Sequence, residues 1–217
     1  AYDGTVEFYI TDRTDTIVMA YRNAYPELFQ DLEKQIPEDI SNHFVYPEYL
    51  YSIQAEILKR YHESQTDVIY RATDVWDIAT YSEGVSDKTT ITPISPYYIM
   101  LKTVDSNENK LGLVLPYTIL GKQNIASYLV GTYKDGKPVL KLYEFSEGTN
   151  VLGTMQLDTQ IEQNEAIHKE IRSLNVTGTK LTKNIAIIPV DDMLLYVESI
   201  YQQYINETDS LPTLKKV

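Results

Sequence analysis

The strongest hydrophobic pattern in the chain lies at residues 185–204, where apolar and aromatic side chains dominate two short runs. Such residues suit a pleated surface, so the pattern predicts two strands joined at Asp191 and Asp192. Alternate residues of a strand face opposite sides, and both sides of residues 194–201 carry apolar groups. We therefore expect the second strand to be central in its sheet and covered on both faces.

Glu198 is the polar exception on the predicted inner face of this strand, where its neighbours are Leu194, Tyr196 and Ile200. A buried carboxylate needs a hydrogen-bonding or cationic partner, or it takes up a proton. Glu198 is therefore either an acid, a base or a ligand contact, or it is a structural carboxylate with a partner. We expect Glu198→Gln to lower stability before it lowers any activity.

The first part of the chain has a helical pattern. Residues 16–25 predict a short helix that ends before Pro26, and residues 37–39 open another short helical turn. Residues 47–62 predict the most regular helix, with acidic residues in its first turn and basic residues in its last. Its apolar stripe consists of Leu50, Ile53, Ile57 and Tyr61.

A further helix is predicted over residues 67–79, with Asp67 as its N-cap. Residues 3–10 predict a first strand, and the polar residues 81–96 predict a loop. Residues 158–174 predict one acidic amphipathic helix in which Thr159 and Glu162 have capping-box spacing.

The second part of the chain has mainly strand patterns. Short connections between the predicted strands favour antiparallel pairing. The chain begins at Ala1 and not at a methionine, and its last seven residues resemble the start of another strand. We therefore expect both ends to lie within a longer polypeptide. The predicted strands of this part, besides the pair at 185–204, are 97–103, 111–117, 125–133 (or a helical turn) and 139–145.

These patterns together predict an α+β fold, mainly an antiparallel sheet packed with several helices. We expect a single domain over residues 1–217, with a helix-rich part at about 12–82 and a sheet-rich part at about 94–217.

The amino-acid composition of the chain excludes some classes of function. A formal net charge of −12 argues against nucleic acid as a partner, since nucleic-acid binding requires a basic face. The absence of cysteine excludes disulfides, thiolate catalysis and cysteine-bound metals. No apolar run reaches the ~18 residues of a membrane-spanning helix. Nineteen tyrosines suit half-exposed sheets, wet binding surfaces or packing between sheet and helices.

Two segments resemble ligand-binding loops and lack the residues that such loops require. Residues 131–137 approach a phosphate-binding loop, but Pro138 follows where a hydroxyl is needed, so we expect a hairpin turn at Asp135 and Gly136. Residues 105–109 begin like a calcium loop, but Lys110 stands where glycine is required. A looser cation site on the acidic surface stays an open hypothesis.

The remaining candidates are isolated side chains. His43, His62 and His168 lack metal-site spacing, and the helix dipole explains His62 at a helix C-terminus. Asp74 and Asp77 flank Trp76, which suits either a sugar-binding surface or the solvated side of a helix. We expect no cofactor, no metal ligand and no catalytic constellation; the candidate binding residues are Glu198, Asp74 and His62.

Several short blocks, in this order and spacing, resemble the extracytoplasmic part of a large bacterial membrane-protein family, the uncharacterised protein family 0182. The resemblance covers nearly the whole chain. The chain departs from the family pattern at Thr16, Thr154 and Ser199, which replace proline, and at Lys183, which replaces glycine. The blocks include Tyr2–Val6, Tyr46-Pro47-Glu48, Tyr61-His62, Asp74, Trp76, Pro96-Tyr97-Tyr98, Leu115-Pro116-Tyr117, Ile188-Pro189 and Leu194–Glu198.

The resemblance implies transmembrane helices elsewhere in a longer protein and a bacterial cell-membrane location, with this piece outside the cytoplasm. The family has no known active site whose residues could be transferred to this chain. The preferred hypothesis is a non-catalytic module that binds its own transmembrane region, an envelope component or a protein partner. One alternative is a cell-envelope hydrolase with Glu198, and either His62 or Asp74, as acid–base groups. Another is a calcium-stabilised structural module.

Overall fold

The chain folds into two antiparallel sheets, a two-stranded hairpin and six α-helices within the residues that the structure describes, which confirms the α+β prediction. The computed structural model describes residues 3–32, 34–85, 89–103, 106–134, 136–146, 148–190, 193–205 and 209–217. The helices are α1 (Thr16–Ala24), α2 (Glu38–Ser41), α3 (Glu48–Tyr61), α4 (Thr66–Arg71), α5 (Thr154–Gln163) and α6 (Glu165–Leu174), with a 3-10 helix at Pro26–Leu28. The strands are β1 (Trp76–Ile78), β2 (Thr80–Glu83), β3 (Thr90–Pro93), β4 (Tyr97–Thr103), β5 (Ser106–Ile119), β6 (Ile125–Lys134), β7 (Lys137–Glu144), β8 (Thr179–Val190), β9 (Met193–Tyr204) and β10 (Thr213–Lys216).

The larger sheet, called sheet I, has the order β1-β5-β6-β7 and curls into a half-barrel. Strand β5 is long enough to hold two partners along one edge: β4 pairs with its first part and β1 with its last three residues. The strands predicted at 97–103, 111–117 and 125–133 lie within β4, β5 and β6, and the strand predicted at 139–145 is confirmed as β7, which ends one residue earlier. Residues 125–133 form a strand and not a helical turn.

Helix α3 covers one face of sheet I. Tyr51 and Ala55 are buried on this face, where the Tyr51 hydroxyl donates to the Leu129 carbonyl at 2.9 Å. The Tyr117 hydroxyl of β5 donates in turn to the Ala55 carbonyl at 2.8 Å. At Gly131 a Cβ atom would lie 2.8 Å from the Tyr51 ring, so the helix approaches the sheet because this position has no side chain.

The apolar stripe of α3 is not the buried side of the helix. Its members Leu50, Ile53, Ile57 and Tyr61 are 38–65% exposed. Tyr51 and Ala55 are buried instead, because the small alanine permits close approach and the Tyr51 hydroxyl finds a carbonyl partner at the sheet. The ends of α3 follow the prediction, with Glu48 in its first turn and Lys59 and Arg60 in its last.

The second sheet, called sheet II, has the order β10-β9-β8 and packs against the other face of sheet I. Ile187 on β8 is fully buried, and its main chain is bound by two tyrosines of sheet I. The Ile187 N–H donates to the Tyr97 hydroxyl at 2.8 Å, and the hydroxyls of Tyr97 and Tyr128 donate to the Ile187 carbonyl at 2.8 and 2.5 Å. Since β8 is an edge strand, these groups have no strand partner on that side.

The hairpin at 185–204 forms as predicted and extends to residues 179–204, with β9 central in sheet II. The turn at Asp191 and Asp192 lies outside the described residues. Coverage on both faces is wrong for β9: Ile200 is buried on the inner face, but Leu195 on the outer face is 52% exposed. The strand predicted at the end of the chain is confirmed as β10, which pairs with β9.

Three local predictions in the first part of the chain are wrong. Residues 3–10 form no regular strand; only Phe8 makes an isolated bridge, to Phe29. The helix predicted at 67–79 ends at Ala72, whose φ of 51° lies in the left-handed region, and Trp76 then begins strand β1. Asp67 lies in the first turn of α4, where Gln65 is the N-cap. The predicted loop at 81–96 contains most of the β2–β3 hairpin.

The single helix predicted at 158–174 is two helices that meet at Asn164. The Asn164 side chain accepts hydrogen bonds from the amides of Ala166 and Ile167 and caps α6. Thr159 lies inside α5 and donates to the Met155 carbonyl, so the predicted capping box is wrong. At the true start of α5, the Gly153 N–H donates to the Gln156 side chain at 2.9 Å.

We predict that Tyr97→Phe lowers the free energy of unfolding by about 1–3 kcal/mol, because it leaves the buried Ile187 N–H without an acceptor. Urea denaturation measures the loss. The control is Tyr133→Phe, whose hydroxyl bonds the Gly136 carbonyl at an exposed turn, and we expect it to stay within about 0.5 kcal/mol. Equal losses in the two variants would contradict this role for Tyr97.

Candidate functional site

The three candidate residues from the sequence occupy two different places in the fold. His62 and Asp74 lie together where α3 ends beside β1. Glu198 lies on the inner face of β9, in register with Ile185 of β8. The described contacts bring His62 and Asp74 together and give Glu198 a separate set of partners.

His62 is a buried packing residue that caps the end of α3. Its side chain is 3% exposed, and its ring stacks on Trp76 with centroids 3.6 Å apart. Its Nδ1 donates to the Leu58 carbonyl at 2.8 Å, and its Nε2 lies 3.4 Å from the Asp74 carboxylate. Asp74 is 41% exposed, so this pair extends from the interior to the surface.

The surroundings of Trp76 do not form a sugar-binding platform. The indole is buried between His62 and Tyr117, so neither face is open to a ligand. Asp77 lies on a strand and not on a helix, and its carboxylate pairs with Lys59 at 3.2 Å. Both carboxylates therefore have partners within the fold.

Glu198 belongs to a group of four charged side chains between sheet II and α5, which we call the charge cluster: Lys183, Asp158, Glu162 and Glu198. The Lys183 ammonium contacts the Asp158 carboxylate and lies 3.3 Å from the Glu162 carboxylate. The Lys183 side chain is 1% exposed. Two carboxylates thus share one buried ammonium, and Glu198 lies near enough to feel the charges of all three groups.

Burial and neighbouring charges shift the pKa values of Glu198 and Lys183 in this cluster. Desolvation raises the pKa of Glu198; Lys183 opposes that rise, while Asp158 and Glu162 add to it. Burial by itself would lower the pKa of Lys183, but the hydrogen bond to Asp158 and the nearby carboxylates outweigh it and hold that pKa above its ordinary value. Lys183 therefore stays charged, and Glu198 holds its proton to higher pH than an exposed glutamate does.

Sequence reasoning found Glu198 but missed its partners. Asp158 and Glu162 are four residues apart and so lie on one side of α5. Lys183 alternates with Ile185 and Ile187 on the buried face of β8. A lysine among alternating apolar residues was the available signal, since an inward-facing lysine requires a counter-charge.

Two adjoining pockets lie between the first part of the chain (residues 9–45) and strands β4, β5 and β6 of sheet I. Their volumes are about 350 and about 680 Å3, and both are lined by Thr11 and Ile36. The floor of the larger pocket includes Met100, Leu111 and Tyr133. Neither pocket is lined by the candidates Glu198, Asp74 or His62.

The other sequence candidates carry no site in the described structure. Strands β6 and β7 pair as a hairpin up to Lys134 and Lys137, and Gly136 has a φ of 78°, while Asp135 lies outside the described residues. Asp105 of the calcium-like segment also lies outside them. Among the described residues, no group of three or more histidine or carboxylate side chains is placed to hold a metal ion.

Comparisons with known proteins agree on one family. A model of the uncharacterised protein family UPF0182 matches residues 1–174. Proteins of that name are similar to the whole chain at 35% identity in Caldicellulosiruptor saccharolyticus and in Microcystis aeruginosa, and at 32% in Desulforamulus reducens. The chain spans 24%, 22% and 23% of these relatives' lengths. No solved structure matches.

Among the described residues, no helix is both long enough and apolar enough to cross a lipid bilayer.

We predict that His62→Ala lowers the free energy of unfolding by about 3 kcal/mol, because it removes the ring stacked on Trp76 and leaves a cavity. Asp74→Asn should cost less than about 1 kcal/mol, since its contact with His62 is long and partly exposed. Thermal or urea unfolding measures both losses. A loss for Asp74→Asn as large as that for His62→Ala would show that the contact with Asp74 matters more than the stack.

Proposed function

Since the chain belongs to the uncharacterised protein family UPF0182, we propose that it is an interaction module of a bacterial membrane protein, located on the extracytoplasmic side. In this proposal its partner is another part of the same full-length protein, including the transmembrane region. The contact surface is the outer side of α3.

The observation that carries the proposal is the exposed apolar stripe of α3. Leu50, Ile53, Ile57 and Tyr61 follow one another along the helix at intervals of three or four residues, and all four are exposed. A continuous apolar row on the outside of a helix is the usual form of a helix-packing surface. Isolated exposed apolar residues are ordinary, but contiguous ones mark interaction sites.

The partner is argued from the length of the relatives. The chain spans only 22–24% of the first three of them, so most of the family's polypeptide is available to cover this stripe. Helix α1 adds a second outward row, with Ile17 and Tyr21 exposed. The acidic composition, with a net charge of −12, disfavours an anionic lipid surface as the occupant.

The hydrolase alternative receives less support from the geometry. It requires Glu198 and either His62 or Asp74 to converge in one cleft. His62 is packed against Trp76, whereas Glu198 lies among the charges of Lys183, Asp158 and Glu162. These contacts suit structural roles for both residues.

The test is the accessibility of single cysteines, which the chain allows because it has none of its own. We predict that cysteines at Ile53 and Ile57 react with a maleimide readily in the isolated chain and at least about tenfold more slowly in the purified full-length protein, because packing excludes the reagent. A cysteine at Ile91, which is 64% exposed on β3, is the matched control and should react equally in both.

Two outcomes would overturn the proposed partner. Equal labelling at Ile53 and Ile57 in both proteins would show that the rest of the chain leaves α3 open. Protection that appears only in intact cells would assign the surface to a separate protein or to an envelope component.

A further inference from the structure

We propose that strand β10 continues beyond Val217 in the full-length protein and pairs with β9 along residues 193–199, so that sheet II consists of three long strands. The side of residues 193–199 that faces away from β8 is called the open edge. This inference is independent of the proposed docking through α3, because it rests on strand pairing in the other sheet.

Strand β9 has a partner along its whole length on one side only. Strand β8 pairs with all twelve residues of β9, from Met193 to Tyr204. On the other side, the pairing with β10 is confined to Ile200, Tyr201 and Gln202. Within the part of the chain that the structure describes, no other strand pairs with β9, and no main-chain hydrogen bond from outside sheet II reaches the open edge.

An unpaired strand edge is a template for another strand. Alternate residues direct their N–H and C=O groups outward, where an added strand can bond them. Edges that stay free are normally short or carry lysine or proline. Strand β10 is such an edge, with four residues that include Lys215 and Lys216. Residues 193–197 of the open edge contain neither a charge nor a proline, so they have the composition of a strand that is paired on both sides.

The side chains beside the open edge also favour an added strand. Met193 and Leu195 lie on the outer face of β9 and are 72% and 52% exposed. Val190, which is opposite Met193 on β8, is exposed as well, and Val197 is half-buried. A strand placed beside β9 would cover part of this apolar group through cross-strand contacts.

The direction of β10 identifies the occupant. Strand β10 is antiparallel to β9, and its pairing moves from Gln202, opposite Thr213, to Ile200, opposite Lys216. Each residue after Lys216 would bring the pairing one residue closer to Met193. A continuation of about seven residues therefore spans the open edge without a turn or a crossover connection.

The length of the relatives supports this occupant over a separate molecule. The chain spans only 22–24% of the first three relatives, so the family's polypeptide is long enough to supply the continuation. Since the continuation is joined covalently to β10, its effective concentration at the open edge exceeds that of a second copy of the chain or of another protein.

The experiment compares amide hydrogen exchange in three forms of the protein. The first is the 217-residue chain, and the second is this chain lengthened by the residues, about ten, that follow it in the full-length protein. The third is the matched control, the lengthened chain with three consecutive prolines in the middle of the added segment. Proline has no N–H to donate to a neighbouring strand.

We expect about every second amide of residues 193–199 to exchange at least about tenfold more slowly in the lengthened chain than in the 217-residue chain, because those amides gain an acceptor. The proline form should exchange like the 217-residue chain. The amides of Leu115 and Leu129, which are fully buried in sheet I, are the internal reference and should exchange equally in all three forms.

Three results would overturn the proposal. One is equal exchange at the open edge in the 217-residue and lengthened chains, or equal protection in the proline form. Another is protection in the 217-residue chain that rises with protein concentration, which would assign the open edge to a second copy. The third is protection that appears in the full-length protein and not in the lengthened chain, which would assign the edge to a distant segment.

Discussion

The structure depends on the attachment of sheet II to sheet I through two tyrosine hydroxyls. Strand β8 is the edge of its sheet, and an edge strand in the interior leaves amide and carbonyl groups unpaired. Tyr97 and Tyr128 supply the missing partners at Ile187, where one amide and one carbonyl meet two hydroxyls. The aromatic rings fill the space between the sheets while their polar tips satisfy the backbone. Ile187 is fully buried while the sheets are packed together, so these groups depend on the two hydroxyls for their partners.

Tyrosine hydroxyls also join the backbone to side chains on the opposite face of sheet I. Tyr51 reaches the sheet from α3, and Tyr117 reaches α3 from the sheet. Both faces of sheet I are thus occupied by residues that bond to main-chain carbonyls. A consequence is that α3 turns Tyr51 and Ala55 inward and leaves its apolar stripe outside. The surface proposed for docking is therefore a product of how the core is held.

The sequence allowed the fold class and most strands to be predicted, because alternation and turn residues act locally. The β8–β9 hairpin, β4 to β7 and the ends of α3 all follow from such signals. The errors arose where a single residue redirects the chain: Ala72 in the left-handed region ends α4, and Asn164 caps α6. For the candidate site, Glu198 was identifiable as a carboxylate on an apolar strand face, and Lys183 as a lysine on another. The contact between Lys183 and Asp158 was not predictable, because it joins positions 25 residues apart.

The measurement that tests the account most directly is the exchange rate of the Ile187 amide proton in the folded chain. An edge-strand amide without a partner exchanges by local opening, whereas one bonded to a buried tyrosine exchanges only when the two sheets separate. The account predicts protection at Ile187 as high as in the centre of sheet I, at the amides of Leu115 and Leu129. Exchange at the rate of an ordinary edge amide would contradict the claim that the tyrosine hydroxyls hold the two sheets together.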